Sequence, residues 1–134
     1  MEIVVFLGAV LIVGALLFAV ITMRKGSGPL DVDKYRLRWL QIEQKLSRDE
    51  PLTHQMTVLD ADKLLDQALK ESGIDGTTMG DRMKKVNWSN ADVVWGAHKL
   101  RNRIAHESDV KVDYDTARRA LAGFKQGLKD MGAI

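Results

Sequence analysis

The sequence predicts an all-α protein: a single N-terminal transmembrane helix followed by an antiparallel bundle of four long helices and one short one. Three observations carry this expectation. Residues 3–22 form a run of twenty without a charge. Beyond them, apolar residues recur at spacings of three and four, the period of one helix face. The breaks between those runs are short and hold Pro51, Gly73, Ser89 and Asn90, residues that open, close or cap helices.

A chain of 134 residues is long enough for one globular domain and an appendage. Twenty helical residues span about 30 Å, the thickness of a bilayer's hydrocarbon core. The apolar run has no polar side, which a buried helix of a soluble protein would show. A secretory signal would start on a basic stretch and end on a small-residue cleavage site. Only Met1 and Glu2 precede this run, neither of them basic, and no such site follows it. Residues 1–23 are therefore expected to be a retained anchor. Arg24 and Lys25 come straight after it, and no Lys or Arg comes before. The excess of positive charge on the inner side puts the N-terminus outside and the rest of the chain in the cytoplasm, a single-pass membrane protein. Residues 24–30, with Gly26-Ser27-Gly28-Pro29, read as a short linker. Residues 31–134 are the bundle.

Within the bundle the first helix is expected over 31–47, where Val32, Tyr35, Trp39, Ile42 and Leu46 form one stripe. The second runs over 51–72, with Pro51 suited to its first turn. Its broad apolar face of Leu52, Met56, Leu59, Ala61, Leu64, Leu65, Ala68 and Leu69 marks a central element. Gly73 followed by Ile74 reads as its C-cap. Thr77 or Thr78 caps a short helix carrying Met79 and Met83, and Ser89 or Asn90 caps the next long one, 90–107. The segment 107–113 is a polar break, with Val110 and Val112 in loop. The last helix begins near Asp113 on a face of Tyr114, Ala117, Leu121, Phe124, Leu128 and Met131. Gly123 and Gly127, four apart, permit another helix to cross closely. Short connections between such helices argue a bundle.

Composition narrows the chemistry. There is no cysteine, so no disulfide framework and no thiolate. Glu2 is the one charge ahead of Arg24, so the remaining chain carries all 20 basic and 17 of the 18 acidic residues, a balance of +3. That is no nucleic-acid footprint in itself, and any RNA site has to be local. No Gly-rich phosphate loop and no Ser-His-Asp arrangement is present. His98 and His106 are eight apart with no third ligand, so no metal and no cofactor is expected. His54 stands alone and reads as a surface residue. Trp39, Trp88 and Trp95 read as core or loop anchors.

Chemistry-bearing residues gather in one helix, in the stretch from Lys99 to Glu107. Val93, Ala97, Leu100 and Ile104 are expected to face the core there. His98, Asn102 and His106 form a second stripe turned away from it, with Arg101 and Arg103 at opposite margins. The run Arg101-Asn102-Arg103-Ile104-Ala105-His106 resembles the signature of the HEPN superfamily, an Arg and a His four to six residues apart with a polar residue after the Arg. The resemblance extends over the bundle, from about residue 31 to 134.

This resemblance implies a metal-independent endoribonuclease or RNA-binding module. In that reading Arg101, Asn102 and His106 are the catalytic residues. His106 moves the protons, Arg101 stabilises charge on the phosphoryl oxygens, and Asn102 orients the imidazole or holds phosphate. Arg103 and His98 are the substrate-binding candidates. The resemblance also implies a homodimer, and Arg101 and His106 lie roughly 140° apart around an ideal helix, so paired motifs would complement each other. The alternative is a non-catalytic, membrane-tethered module that binds a protein or a nucleotide. A purely structural reading also stands, in which Arg101 pairs with an acid on a neighbouring helix, Arg103 with Glu107 four residues on, and His106 serves the helix dipole.

Overall fold

In the computed structural model the backbone is described for residues 2–24 and 29–134, and side chains for 2–17 and 29–134. The helices are α1 (Glu2–Arg24), α2 (Val32–Lys45), α3 (Pro51–Glu71), α4 (Met79–Met83), α5 (Ala91–His106) and α6 (Tyr114–Asp130). The described residues contain no strand, and α2–α6 form a helical bundle.

Local chemistry sets the boundaries. Three helices open on a side chain that takes a free backbone N–H: Asp31 accepts from Lys34 N, Thr78 from Asp81 N and Asp113 from Thr116 N. Pro51 opens α3, where its missing donor costs nothing. Asn90 opens α5 without a side-chain cap. Gly73 ends α3 with φ at 77°, and Ile74 N donates back to Leu69 O, the closing bond of a left-handed cap.

The α3 helix is the centre, touching α2, α4, α5 and α6. Its Val58, Ala61, Leu65, Ala68 and Leu69 are fully buried, against Tyr35 and Trp39 of α2 and Phe124 and Leu128 of α6. Among the polar contacts that hold α2 in place, two stand out. The Tyr35 hydroxyl donates to Glu71 Oε2 at 2.6 Å, and Lys125 of α6 reaches Glu43 at 3.0 Å. Burial, with the Glu71 carboxylate beside it, pushes the Tyr35 hydroxyl well above its ordinary range. Its hydrogen bond in turn holds the Glu71 carboxyl below the usual value.

The close crossing expected at Gly123 and Gly127 is the α5–α6 contact. A Cβ on Gly123 would stand 2.8 Å from Val93 Cγ1 and 3.0 Å from Val93 O, and one on Gly127 would stand 3.1 Å from Val94 Cγ2.

Three expectations need correction. The buried residues of α5 are Val94, Ala97 and His98, while Val93 is 40% exposed and Leu100 and Ile104 lie at the core margin. The cause is that α5 packs on both α3 and α6, and α3 supplies a carboxylate that makes burial of His98 tolerable. His98 therefore does not lie on a stripe turned away from the core. His54 is no surface residue either, because it is 5% exposed. Its ring nitrogens meet the carbonyls of Val112 at 3.1 Å and Ser47 at 2.8 Å. The buried ring thus sits between two largely exposed connections, within hydrogen-bonding distance of a carbonyl of each. At the start of α3, Leu52 and Met56 are exposed, and the inward positions go to His54, Thr57 and Val58.

No described residue of α1 is buried. Its large aliphatic and aromatic side chains from Ile3 to Leu17 are 53–75% exposed and add nothing to the core. Among the described residues no helix is long and apolar enough to cross a membrane, the described side chains of α1 ending at Leu17.

Candidate functional site

Four side chains from α3 and α5 close a ring of polar contacts. His98 Nδ1 lies 2.7 Å from Asp62 Oδ1, and Asn102 Nδ2 lies 3.4 Å from His98 Nε2. Arg101 donates to Asn102 Oδ1 at 3.0 Å, and its Nε sits 3.3 Å from Asp62 Oδ2. Helical spacing explains the meeting. His98, Arg101 and Asn102 are at i, i+3 and i+4, so they share one side of α5. Asp62 sits on the buried side of α3, between Ala61 and Leu65.

The donors and acceptors around this ring balance. The Asn102 oxygen accepts from the guanidinium, so its NH2 faces His98 Nε2, which accepts. His98 Nδ1 then carries the proton and donates to Asp62. The second Asp62 oxygen faces the guanidinium. No buried side-chain polar atom among the described residues lacks a partner. Asp62 and His98 are 3% and 7% exposed, whereas the Arg101 side chain is 38% exposed. The inner half of the ring is sealed. Its outer half holds a guanidinium at the surface in a fixed orientation.

Arg101 stands on the lip of a groove of about 640 Å³ between α3, α4 and α5. Thr77, Thr78 and Arg82 line its other wall. Arg82 is itself a brace, gripping Asp66 through two bonds of 2.9 and 3.1 Å and the Gly76 carbonyl at 2.7 Å.

The structure thus brings together Arg101, Asn102 and His98, three of the five residues expected to form the site. His106 is exposed in the last turn of α5, and Asn102 turns toward His98 in the contacts it makes. Arg103 faces elsewhere. It lies 3.8 Å from Glu107 at the surface and lines the groove between α5 and α6. Among the described residues no cluster of three His, Cys, Asp or Glu is placed to hold a metal ion.

Sequence reading missed Asp62. Its signal was present: an acid at i+1 to Ala61 and i−3 to Leu65, inside the stripe of a helix otherwise apolar there. Such a residue calls for a buried cationic or donor partner.

Fold and site together define a helical bundle carrying an internally braced surface arginine. No family model, no curated protein and no solved structure matches the chain.

Proposed function

We propose that the chain is a membrane-anchored HEPN-like domain that binds single-stranded RNA at the outer edge of α5 and cleaves it without a metal. The observation that carries this reading is the Arg101 guanidinium, fixed by Asp62 and Asn102 yet open to solvent at a groove. A preorganised cation is what charge developing on a phosphodiester requires. The RNA 2′-oxygen attacks the adjacent phosphorus as His106 takes its proton, a 2′,3′-cyclic phosphate forms, and the bond to the 5′-oxygen breaks. The His106 imidazolium gives that proton to the departing 5′-oxygen, which restores the neutral ring. Arg101 and His106 project from different sides of α5, so the reacting phosphate is shared between two copies of the chain. Asn102 and the buried His98–Asp62 pair act as positioning residues, and Arg103 adds a phosphate contact.

The anchor is α1. Support comes from the twenty uncharged residues 3–22 and from aliphatic side chains exposed all around the described part of the helix, which call for a hydrocarbon surrounding. Arg24 and Lys25 put the bundle on the cytoplasmic side.

The test uses the full chain in nanodiscs with labelled single-stranded RNA in EDTA. Cleavage to cyclic-phosphate ends, abolished by His106→Ala, supports the reading. Intact RNA with dimeric, folded protein rejects it. A second reading has an observation of its own. Asp62 already offsets the charge of Arg101, which weakens its pull on phosphate and suits a non-catalytic module for a protein or nucleotide. A nucleotide that binds the parent chain but not Arg101→Gln, with RNA left intact, selects that alternative.

A further inference from the structure

The outer face of α2 is unusual for a helix that packs in a bundle. Tyr35, Trp39 and Ile42 turn inward and are buried. Leu37 and Leu40 turn outward and are 59% and 51% exposed. At about 100° per residue Leu37, Leu40 and Gln44 fall within about 60° of one another, opposite the buried stripe. Basic residues flank them, Arg36 on one side and Lys34, Arg38 and Lys45 on the other, of which Lys34 pairs with Glu71 and Lys45 with Asp60, and one exposed carboxylate, Asp33, falls among the leucines. Beside Leu40 a groove of about 610 Å³ opens toward α6, lined by Trp39, Leu40 and Ile134 and by Arg36, Lys125 and Lys129. Glu43 is the one acidic side chain that lines it, and Lys125 holds it at 3.0 Å.

We infer that this face docks the bundle flat onto the anionic leaflet of the bilayer that holds α1. Leucines projecting between rows of Lys and Arg are the pattern of a helix lying in the headgroup region, with apolar side chains inserted and cations on lipid phosphates. Reach agrees. Seven residues separate Arg24 at the end of α1 from Val32 at the start of α2, which spans at most about 27 Å when fully extended. The start of α2 therefore stays near the leaflet whatever path the chain takes. Charge complementarity selects the occupant: with Lys125 held by Glu43, Arg36 and Lys129 at the groove and Arg38 on the far flank outnumber Asp33, a balance that suits a negatively charged surface. Docking fixes which side of the bundle faces the cytoplasm and so orients the grooves around α5. The inference rests on the anchor proposed above, not on the RNA chemistry.

The chain has no cysteine, so Gln44→Cys carries a single polarity-sensitive fluorophore beside both leucines, and Asp92→Cys carries the control on α5. Full-length protein is reconstituted in phosphatidylglycerol–phosphatidylcholine vesicles and in phosphatidylcholine alone. The expected result is a blue shift and quenching by a lipid-borne quencher at position 44 only, with anionic lipid only. Leu37→Ser with Leu40→Ser abolishes the shift. Arg36→Gln and Lys129→Gln each lower the docked population about fivefold. Equal spectra in both lipids, or equal shifts at both positions, overturn the inference. So does a shift that follows protein concentration rather than lipid charge, which assigns the face to a second copy. Vesicle flotation separates the failures. A chain that floats with an unshifted label loses the docking alone, and a chain that does not float loses the anchor and the docking together.

Discussion

His98 and His106 stand about two turns apart on α5, and the bundle treats them in opposite ways. His98 is 7% exposed, with a carboxylate on one ring nitrogen and an amide on the other. His106, in the last turn, looks into solvent. The difference lies in what α3 presents opposite each of them. Asp62 stands across from His98 and converts a polar side chain into part of the core. Where α5 extends toward its end, its side chains are free for outside partners. Arg101 lies between the two regimes, braced on one side and open on the other. A helix can therefore carry a rigid inner half of a site and an available outer half within three turns.

The largest effect that tests this division is removal of Asp62. Asp62→Ala leaves His98 buried without its acceptor and frees the Arg101 guanidinium. Breaking a buried pair by taking one partner costs about 3 kcal/mol. Chemical denaturation of the full chain in detergent is expected to show a loss of that size. Asp62→Asn, which keeps the shape and one acceptor, loses less. An Asp62→Ala variant as stable as the parent would mean that the ring does not brace α5.

The α5–α6 contact supplies the next effect, through two glycines. A Cβ at Gly123 meets the backbone oxygen of Val93 at 3.0 Å, and backbone cannot rotate away. Gly123→Ala is expected to destabilise by about 1–2 kcal/mol despite the better helix propensity of alanine. Gly96, on the same α5, is exposed and has nothing within 4 Å of its missing Cβ. Gly96→Ala is expected to gain up to about 1 kcal/mol. Melting curves of the two variants should move in opposite directions, and a shared direction would place the crossing elsewhere.

A smaller effect separates the α2–α3 seam from the α5 ring. The Tyr35 hydrogen bond, and then that of Gln67, hold the Glu71 carboxyl below its ordinary value of 4.5. A carboxyl whose pKa is lowered by folding adds stability above pH 4.5, and that stability fades as the pH falls through its folded value. Tyr35→Phe removes the leading cause, so its stability should fall less steeply on acidification, on top of a loss of about 1 kcal/mol at neutral pH. Denaturation midpoints from pH 7 to 3 measure both. On the proposed reading, RNA binding at α5 should be unchanged, because Tyr35 is no part of the ring.

Much of this architecture was legible in the sequence because it rests on local signals. Pro51, Thr78, Gly73 and Asp113 stand at the helix ends expected of them, and the Tyr35–Trp39–Ile42 stripe faces inward as its spacing demands. Gly123 and Gly127 pointed to the close crossing before any partner was known. The ring was only half legible. Spacing put His98, Arg101 and Asn102 on one side of α5, but it could not show that α3 would set Asp62 against them. That contact joins residues 36 positions apart. Without it, two imidazoles of equal sequence status looked equally exposed. His54 was misread for the same reason, since its partners are backbone carbonyls of two connections, which carry no side-chain signature.

His106 itself gives the smallest change in stability. His106→Ala removes an exposed side chain whose structural contribution is limited to its place near the C-terminus of α5. There a cation interacts favourably with the helix dipole, and substitution of this exposed side chain is expected to cost below about 0.5 kcal/mol. Arg103→Gln should fall in the same range, because the pair it makes with Glu107 is about 60% exposed at both ends. The two variants differ in activity. On the proposed chemistry His106→Ala loses RNA cleavage by at least 100-fold, the usual contribution of a proton-transfer group, while Arg103→Gln weakens only binding. A His106→Ala protein that loses several kcal/mol of stability would show that the outer imidazole is as much a part of the fold as the inner one. The distinction between the two halves of α5 would then collapse.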